Sequence, residues 1–168
     1  MFLVGDSPEW RDAKIRRYLR QEPSVAVLVA AAHFEWTVCR AVVFLSLTPN
    51  RELRRGMRDV YGLREYKRFW RDEVAAVRNG KTLPVVVRNW SAVAKAFEMR
   101  NRLVHGRDRA TRNMALPHVD ALLIAAANIR DYCSQLGVDF NCRLPVRRSS
   151  RRRSIERRQG ETTAKQSA

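Results

Sequence analysis

An arginine, an amide and a histidine lie close together in the stretch Arg100-Asn101-Arg102-Leu103-Val104-His105-Gly106. On a helix, Asn101 and His105 share one face because they are four residues apart. Arg100 lies about 140° around the helix from His105, but its side chain is long enough to bend back toward the same point. A guanidinium, an amide and an imidazole can therefore converge at the last turn of one helix.

These three groups suit chemistry on a phosphodiester. The imidazole of His105 can take or give a proton near neutral pH, and a helix C-terminus favours its protonated form. The guanidinium of Arg100 can hold phosphate oxygens in a fork and stabilise charge that develops in the transition state. The amide of Asn101 can orient either partner. Residue types alone favour a plainer interpretation, a solvated basic helix end in which His105 bonds a terminal carbonyl.

A second stretch, Arg112-Asn113-Met114-Ala115-Leu116-Pro117-His118, carries the same residue types with one more spacer. Proline is favoured at the start of a helix and disrupts a helix interior. We therefore expect Pro117 to begin a new helix and to leave Arg112 and His118 on different elements. This stretch is predicted to have no fixed site geometry.

The elements that must position these groups are predicted to be helices. The pattern of caps and apolar residues predicts a first helix from Pro8 to about Gln21, capped by Ser7 or Asp6. A long buried helix is expected from Val25 to about Leu47, with Ser24 as its cap. Shorter helices are predicted at about 50–60, 63–78, 91–105 and 116–136, with Gly106 ending the helix of the motif.

One segment, TLPVVV (82–87), is rich in β-branched residues, which favour a strand. A single isolated strand would have no partner, so we predict an extended loop there. No stretch of any length alternates apolar and polar residues. The sequence therefore predicts an all-α bundle of about five to six helices.

The chain is strongly basic: 33 Lys and Arg against 17 Asp and Glu give its 168 residues a net charge of +16. Such a charge favours acidic partners such as nucleic acid. Nine basic and two acidic residues fall after residue 142, in a segment with few apolar side chains. We therefore predict a helical domain over 1–142 and a disordered, Arg-rich tail over 143–168.

Four further arginines are spaced three and four residues apart on one predicted short helix and form a basic stripe: Arg51, Arg54, Arg55 and Arg58. A stripe of this kind can follow a phosphate backbone, so these residues and Arg102 are candidate RNA-binding residues.

The sequence predicts no metal site and no cofactor. The three cysteines, Cys39, Cys133 and Cys142, form no CxxC pair and the chain has only three histidines, which disfavours a disulfide scaffold and a standard zinc site. The N-terminus lacks the pattern of a signal peptide. The most apolar run, Val25 to Ala32, is too short for a membrane span. We expect a reducing, cytoplasmic setting and no membrane.

The string MRNRLVHG resembles the signature of HEPN domains (higher eukaryotes and prokaryotes nucleotide-binding), in which an arginine and a polar residue precede a histidine by a few residues. An early apolar helix and a final apolar helix agree with that pattern, so the resemblance covers roughly residues 8–140. It implies an all-α, HEPN-like bundle and, where the motif is intact, a metal-independent endoribonuclease. Many such members are toxins or abortive-infection effectors of prokaryotic defence systems.

Carried onto this chain, the resemblance implies a role for each residue of the motif. His105 would activate the ribose 2′-OH or protonate the leaving 5′-oxygen. Arg100 would bind the scissile phosphate, and Asn101 would position the phosphate or His105. The products would be a 2′,3′-cyclic phosphate and a 5′-OH end. The resemblance also implies a homodimer in which two motifs form a composite site on RNA.

Glu35 lies among apolar helical neighbours, where a carboxylate needs a partner. The resemblance implies that it supports Arg100, whereas residue types favour a structural ion pair with another arginine. The alternative function is a HEPN-like domain that binds RNA or a protein without cleaving. The basic tail is open to two functions, non-specific affinity for RNA and binding of an acidic antitoxin protein.

Overall fold

The structure is a computed structural model that describes residues 7–78, 80–140 and 142–147. Within these residues the chain forms seven α-helices and no strand: α1 (Pro8–Gln21), α2 (Pro23–Leu45), α3 (Asn50–Met57), α4 (Gly62–Trp70), α5 (Leu83–Val87), α6 (Trp90–Val104) and α7 (Arg112–Gln135). A π-helical turn, Arg71–Ala75, continues α4. The prediction of an all-α chain is confirmed, with one helix more than the five to six expected.

The central helix of the bundle is α2. Its most extensive partner is α7, and α1 and α6 pack against it as well. The apolar sequence of α2 explains this position, because a helix that is apolar on most sides is stable only when it is surrounded. Phe34 of α2 packs edge to face against Phe97 of α6, with ring centroids 5.8 Å apart. This contact fixes α6, which carries the candidate residues, against the core.

By length and composition α2 could also cross a membrane, with a mean hydropathy of 1.5 over its most apolar window. From the run Val25 to Ala32 we predicted an apolar segment too short to cross a membrane. The apolar helix is longer than that run, because it continues in apolar residues beyond His33 and Glu35. In the part of the chain that the structure describes, 61% of that window is buried inside the bundle. Core helices pass the same test, so the composition of α2 is weak evidence for a membrane.

The helix ends follow local chemistry at two predicted positions. Ser7 caps α1, its hydroxyl oxygen accepting a hydrogen bond from the backbone N of Trp10 at 3.3 Å. Gly106 follows the end of α6 with a φ of 64°, a conformation that glycine adopts without strain. The prediction for Ser24 is wrong: α2 begins at Pro23, and the Ser24 hydroxyl accepts from the backbone N of Ala110 at 3.0 Å.

The prediction for Pro117 is wrong as well, because this proline lies inside α7. The helix begins at Arg112, where Thr111 caps it by accepting from the backbone N of Met114. Pro117 lies in the second turn of α7. Because proline has no N–H, the helix loses one hydrogen bond there, the one to a carbonyl oxygen of the first turn. Arg112 and His118 therefore share one helix, but a separation of six residues places them about 120° apart around it.

The segment TLPVVV forms the short helix α5 instead of an extended loop. Leu83, Val86 and Val87 are buried, whereas Val85 is 62% exposed. That is the spacing of one helix face, and Pro84 lies in the first turn, where its missing N–H is tolerated. Burial of this face outweighs the preference of β-branched residues for strands.

The first residues of the predicted tail contact the helical body through Leu144, Pro145 and Arg147. The guanidinium of Arg147 donates to the carbonyl oxygens of Val43 and Phe44, both at 2.7 Å. These carbonyls belong to the last turn of α2 and have no partner within that helix. At the start of α3, the backbone N of Asn50 donates to the carbonyl oxygen of Arg147, and the backbone N of Arg147 donates to Oδ1 of Asn50. The rest of the predicted tail, 148–168, lies outside the described residues.

Arg147→Ala is expected to lower the free energy of unfolding by about 2 kcal/mol, because a charged donor to two helix-terminal carbonyls is lost. Urea unfolding followed by circular dichroism measures the change. Arg143→Ala is the matched control, since Arg143 is exposed, and its effect should stay within about 0.5 kcal/mol. Equal losses in the two variants would show that Arg147 does not anchor the segment.

His33 is fully buried on α2 among charged side chains of two other helices. Its Nε2 lies 3.6 Å from Oδ1 of Asp12 on α1 and 3.4 Å from Nη1 of Arg130 on α7. Burial, and then the positive charges of Arg11 and Arg130, lower the pKa of His33 to about 3. The ring is therefore neutral in the folded protein at physiological pH.

This low pKa predicts that the protein loses stability in mild acid. The unfolded-state pKa of a histidine is about 6.5, so the unfolded chain takes up a proton first as the pH falls. Stability present above pH 6.5 is lost progressively toward pH 3, and about 2 kcal/mol should be gone at pH 5. Asp12, whose pKa burial raises, acts in the opposite sense.

Urea unfolding of wild type and His33→Gln at pH 7, 6 and 5 checks this prediction. The variant keeps Asp12, Arg11 and Arg130, so the difference between the two pH profiles isolates the histidine. We expect the fall in stability between pH 7 and pH 5 to be smaller in the variant. Parallel profiles would contradict the prediction.

Candidate functional site

The candidate residues lie at the C-terminal turn of α6, whose rotation is fixed by the core. Asn89 caps the start of the helix by accepting from the backbone N of Ala92 at 3.2 Å. One face of the helix is buried through Val93, Ala96, Phe97 and Met99. That rotation leaves Arg100 partly buried and Asn101 exposed.

Arg100 and Asn101 are joined through their side chains. Nη1 of Arg100 donates to Oδ1 of Asn101 at 3.0 Å. Both residues line a cavity of about 610 Å³, here called the α6 cavity, together with Glu35, Tyr61, Tyr66, Phe97 and Glu98. The amide thus orients the guanidinium at the cavity wall, while the other N–H groups of the fork can bind a ligand.

His105 is not among the residues that line the α6 cavity. It follows the last residue of α6 and is exposed, and its backbone N donates to the carbonyl oxygen of Asn101 at 3.1 Å. Four residues of helix separate its Cα from that of Asn101 by about 6 Å along the axis. Among the described residues, no hydrogen bond joins the imidazole to Arg100, to Asn101 or to a terminal carbonyl. The structure therefore brings two of the three groups together and leaves the imidazole one turn away.

Glu35 of α2 lines the same cavity as Arg100. Burial raises the pKa of Glu35, and the positive charge of Arg100 acts against this rise. No direct ion pair joins Glu35 to Arg100 or to another arginine in the part of the chain that the structure describes. The carboxylate is therefore close enough to influence Arg100 without being bonded to it.

Two weak acids near Glu35 stay protonated at neutral pH. Burial is the main cause that raises the pKa of Tyr66, and the negative charge of Glu35 adds to it. The same two causes raise the pKa of Cys39, one turn along α2 from Glu35, to about 11. Besides its tyrosines, the cavity lining carries the carboxyl groups of Glu35 and Glu98 and the guanidinium of Arg100.

The predicted basic stripe forms a groove on α3. Arg51, Arg54, Arg55 and Arg58 are all exposed and line one cavity of about 510 Å³ with Asn50 and Val146, here called the arginine groove. Tyr61, which lines the α6 cavity, follows Arg58 by three residues. A chain of three residues spans at most about 11 Å, so the groove and the cavity are near each other.

Arg102 lies apart from both the groove and the cavity. Its Nε is 3.3 Å from Oδ2 of Asp108 in the loop after α6, and its Nη2 donates to the sulfur of Met99 at 3.6 Å. The positive charge of Arg102 also acts on His118 of α7. Burial, and then this charge, lower the pKa of His118. The structure does not group Arg102 with the other candidate RNA-binding residues.

Several cavity residues were missed from the sequence. Phe97 precedes Asn101 by four residues, so helix spacing places both on one face and could have found it. Tyr61 and Tyr66 come from a different part of the chain, and no spacing signal connects them to the motif. Among the described residues, no group of three or more His, Cys, Asp or Glu side chains could hold a metal ion.

No protein-family model, no curated protein and no solved structure matches this chain. The likeness to HEPN domains therefore rests on the motif and on the order of the helices around it.

Proposed function

We propose that this chain is a metal-independent endoribonuclease of the HEPN type, acting through Arg100, Asn101 and His105. The observation that carries the proposal is the bond between Arg100 and Asn101 at the wall of the α6 cavity, with His105 exposed one turn further. A guanidinium held in this way can bind phosphate oxygens with its remaining N–H groups. The arginine groove supplies the positive charge that attracts an RNA strand.

In the proposed reaction, His105 takes the proton of a ribose 2′-OH as that oxygen attacks the adjacent phosphorus. The bond from phosphorus to the 5′-oxygen breaks, and the leaving oxygen receives a proton. Arg100 stabilises the negative charge on the non-bridging oxygens, and Asn101 keeps Arg100 in position. The products are a 2′,3′-cyclic phosphate and a 5′-OH end.

A homodimer would supply the second proton-transfer group. Because His105 is exposed, the histidine of a second copy can approach the same phosphate and protonate the leaving oxygen. Val104 and Met114, which flank the loop after α6, are exposed apolar side chains at this end of the molecule. They are available to such an interface. Composite sites of this kind are what the HEPN resemblance implies.

The proposed cellular role is that of a toxin or a stress or defence effector that acts on RNA in the cytoplasm. A net charge of +16 also suits an acidic antitoxin protein as a partner.

The experiment that tests the nuclease is cleavage of RNA by the purified wild-type protein in EDTA, with analysis of the product ends. We expect cyclic phosphate and 5′-OH ends. An oligonucleotide with 2′-deoxyribose at the cleaved position should stay intact, because it lacks the nucleophile. Cleavage that needs a divalent metal, or that leaves 5′-phosphate ends, would contradict the proposal.

A non-catalytic HEPN-like module that binds RNA or a protein is the second candidate. One observation favours it: the imidazole of His105 neither lines the α6 cavity nor bonds the other two motif residues. Tight binding of tRNA, rRNA or mRNA by the folded protein, with the RNA recovered intact, would support this candidate over the nuclease.

A further inference from the structure

The α6 cavity contains groups that a phosphate site does not need. Glu35 and Glu98 both line it beside Arg100. Carboxylates repel phosphate, so Arg100 is the group for the phosphate and the acidic part of the cavity must receive a different part of a nucleotide. We propose that the α6 cavity is a nucleobase pocket that selects guanine next to the phosphate bound by Arg100. This inference rests on the proposed RNA-binding function.

A carboxylate selects guanine because it can only accept hydrogen bonds when it is ionised. The Watson–Crick edge of guanine presents two adjacent donors, N1–H and the N2 amino group, which match the two oxygens of one carboxylate. Adenine and cytosine each present an acceptor beside a donor, and uracil presents one donor between two acceptors. Unpaired bases of single-stranded RNA expose this edge to proteins.

The walls of the cavity suit a flat aromatic ligand. Tyr66 and Phe97 are only 6% and 5% exposed and form a fixed inner wall, whereas Tyr61 is 77% exposed at the outside. Aromatic side chains stack on bases of single-stranded nucleic acid. The volume of about 610 Å³ falls within the range of about 300–1,000 Å³ for small-ligand sites.

Glu35 is the carboxylate to which we assign the recognition of the base. It is partly buried, and no hydrogen bond or ion pair to it is found among the described residues, whereas Glu98 is exposed. The Glu35 oxygens are not among the fully buried, unpaired polar atoms of the described residues, so they remain accessible and can accept hydrogen bonds from the two N–H donors of guanine. Hydrogen bonds inside a partly buried pocket are also stronger than those in water.

The path of the strand is consistent with this assignment. Arg58 lines the arginine groove and lies three residues before Tyr61, which lines the cavity. A strand that crosses from the groove to the cavity would place one phosphate at Arg100 and the adjacent base against the aromatic walls.

The experiment measures binding separately from cleavage. Four fluorescent octamers of 2′-deoxyuridine carry one central G, A, C or U nucleotide, also as the 2′-deoxy form, so that no 2′-OH is present and the proposed cleavage is blocked at every position. Fluorescence anisotropy with wild-type protein should show the G octamer binding about tenfold more tightly than the other three. Glu35→Gln keeps the size of the side chain but replaces one acceptor oxygen with a donor, so this preference should disappear.

Two further variants keep the test decisive if Glu35→Gln folds poorly. Glu98→Gln makes the same change at the exposed carboxylate and should keep the preference for guanine. Tyr61→Ala removes an exposed ring and should weaken binding of the G octamer about tenfold through lost stacking. Equal binding of all four octamers by wild type, or no binding of any, would overturn the proposal. A preference of the wild type for adenine or cytosine would also overturn it, because it would mean that Glu35 is protonated. Loss of the guanine preference in Glu98→Gln but not in Glu35→Gln would overturn it as well.

Cleavage of the corresponding octamers made of ribonucleotides distinguishes this inference from the proposed nuclease. Guanine-selective binding without cleavage would support the pocket and contradict the nuclease. Cleavage accompanied by equal binding of all four octamers would contradict the pocket and leave the nuclease standing.

Discussion

His105→Ala should slow RNA cleavage by a factor on the order of 10²–10⁴, the range expected when a general acid or base is removed. The affinity for RNA should change little, because the imidazole is exposed and lies outside the α6 cavity. Single-turnover cleavage of a labelled RNA at saturating protein measures the rate, and anisotropy with a 2′-deoxy substrate measures the affinity. The expected result is a loss of rate without a loss of binding.

His118→Ala is the matched control for this experiment. His118 is partly buried on α7, near Arg102, and does not line the α6 cavity. Its removal should leave the cleavage rate unchanged. If both histidine variants lost activity equally, or if His105→Ala lost binding together with cleavage, the assigned role of His105 would be wrong.

Arg100→Ala should lower the cleavage rate on the order of 10²–10³-fold and should also weaken RNA binding, because the guanidinium contacts the phosphate in both the ground state and the transition state. Arg100→Lys restores the charge but not the planar fork, and it also loses the hydrogen bond geometry to Asn101. We therefore expect the lysine variant to recover binding more fully than cleavage. Rates and dissociation constants of both variants, measured side by side, give this difference.

Arg102→Ala controls for the removal of positive charge from α6. Arg102 pairs with Asp108 and lies outside the cavity, so its loss should affect binding weakly and the rate not at all. Equal defects in Arg100→Ala and Arg102→Ala would show that only the general charge of the helix matters. Full recovery of the rate in Arg100→Lys would show that the fork is not used.

The fold was predictable where one residue decides the local geometry. Ser7 can cap α1 and Gly106 can end α6 because a hydroxyl and a positive φ act within one turn. Prediction failed where contacts between distant segments decide. α5 is helical because its buried face packs with the rest of the core, and Arg147 contacts the helical body because its guanidinium bonds the end of α2.

The candidate site was predictable only in part, for a similar reason. The spacing of Arg100, Asn101 and His105 allowed a site on α6. For Glu35, the resemblance implied support of Arg100, whereas residue types favoured an ion pair with another arginine; the structure places Glu35 in the same cavity as Arg100. Helix spacing cannot show that Tyr61 and Tyr66 meet α6 across the bundle. It also cannot show that the loop after Gly106 turns back and brings Asp108 to Arg102.

The apolar helix α2 is synthesised well before the helix that covers most of it, and this order matters for folding during translation. α2 ends at Leu45, whereas its main packing partner, α7, begins only at Arg112. At about 5–20 residues per second, the ribosome needs several seconds to deliver that partner. During this interval the nascent chain exposes a 23-residue apolar helix, a substrate for chaperones and for the machinery that inserts helices into membranes. We therefore expect the yield of folded protein to depend on chaperone capacity during translation as well as on the stability of the finished bundle.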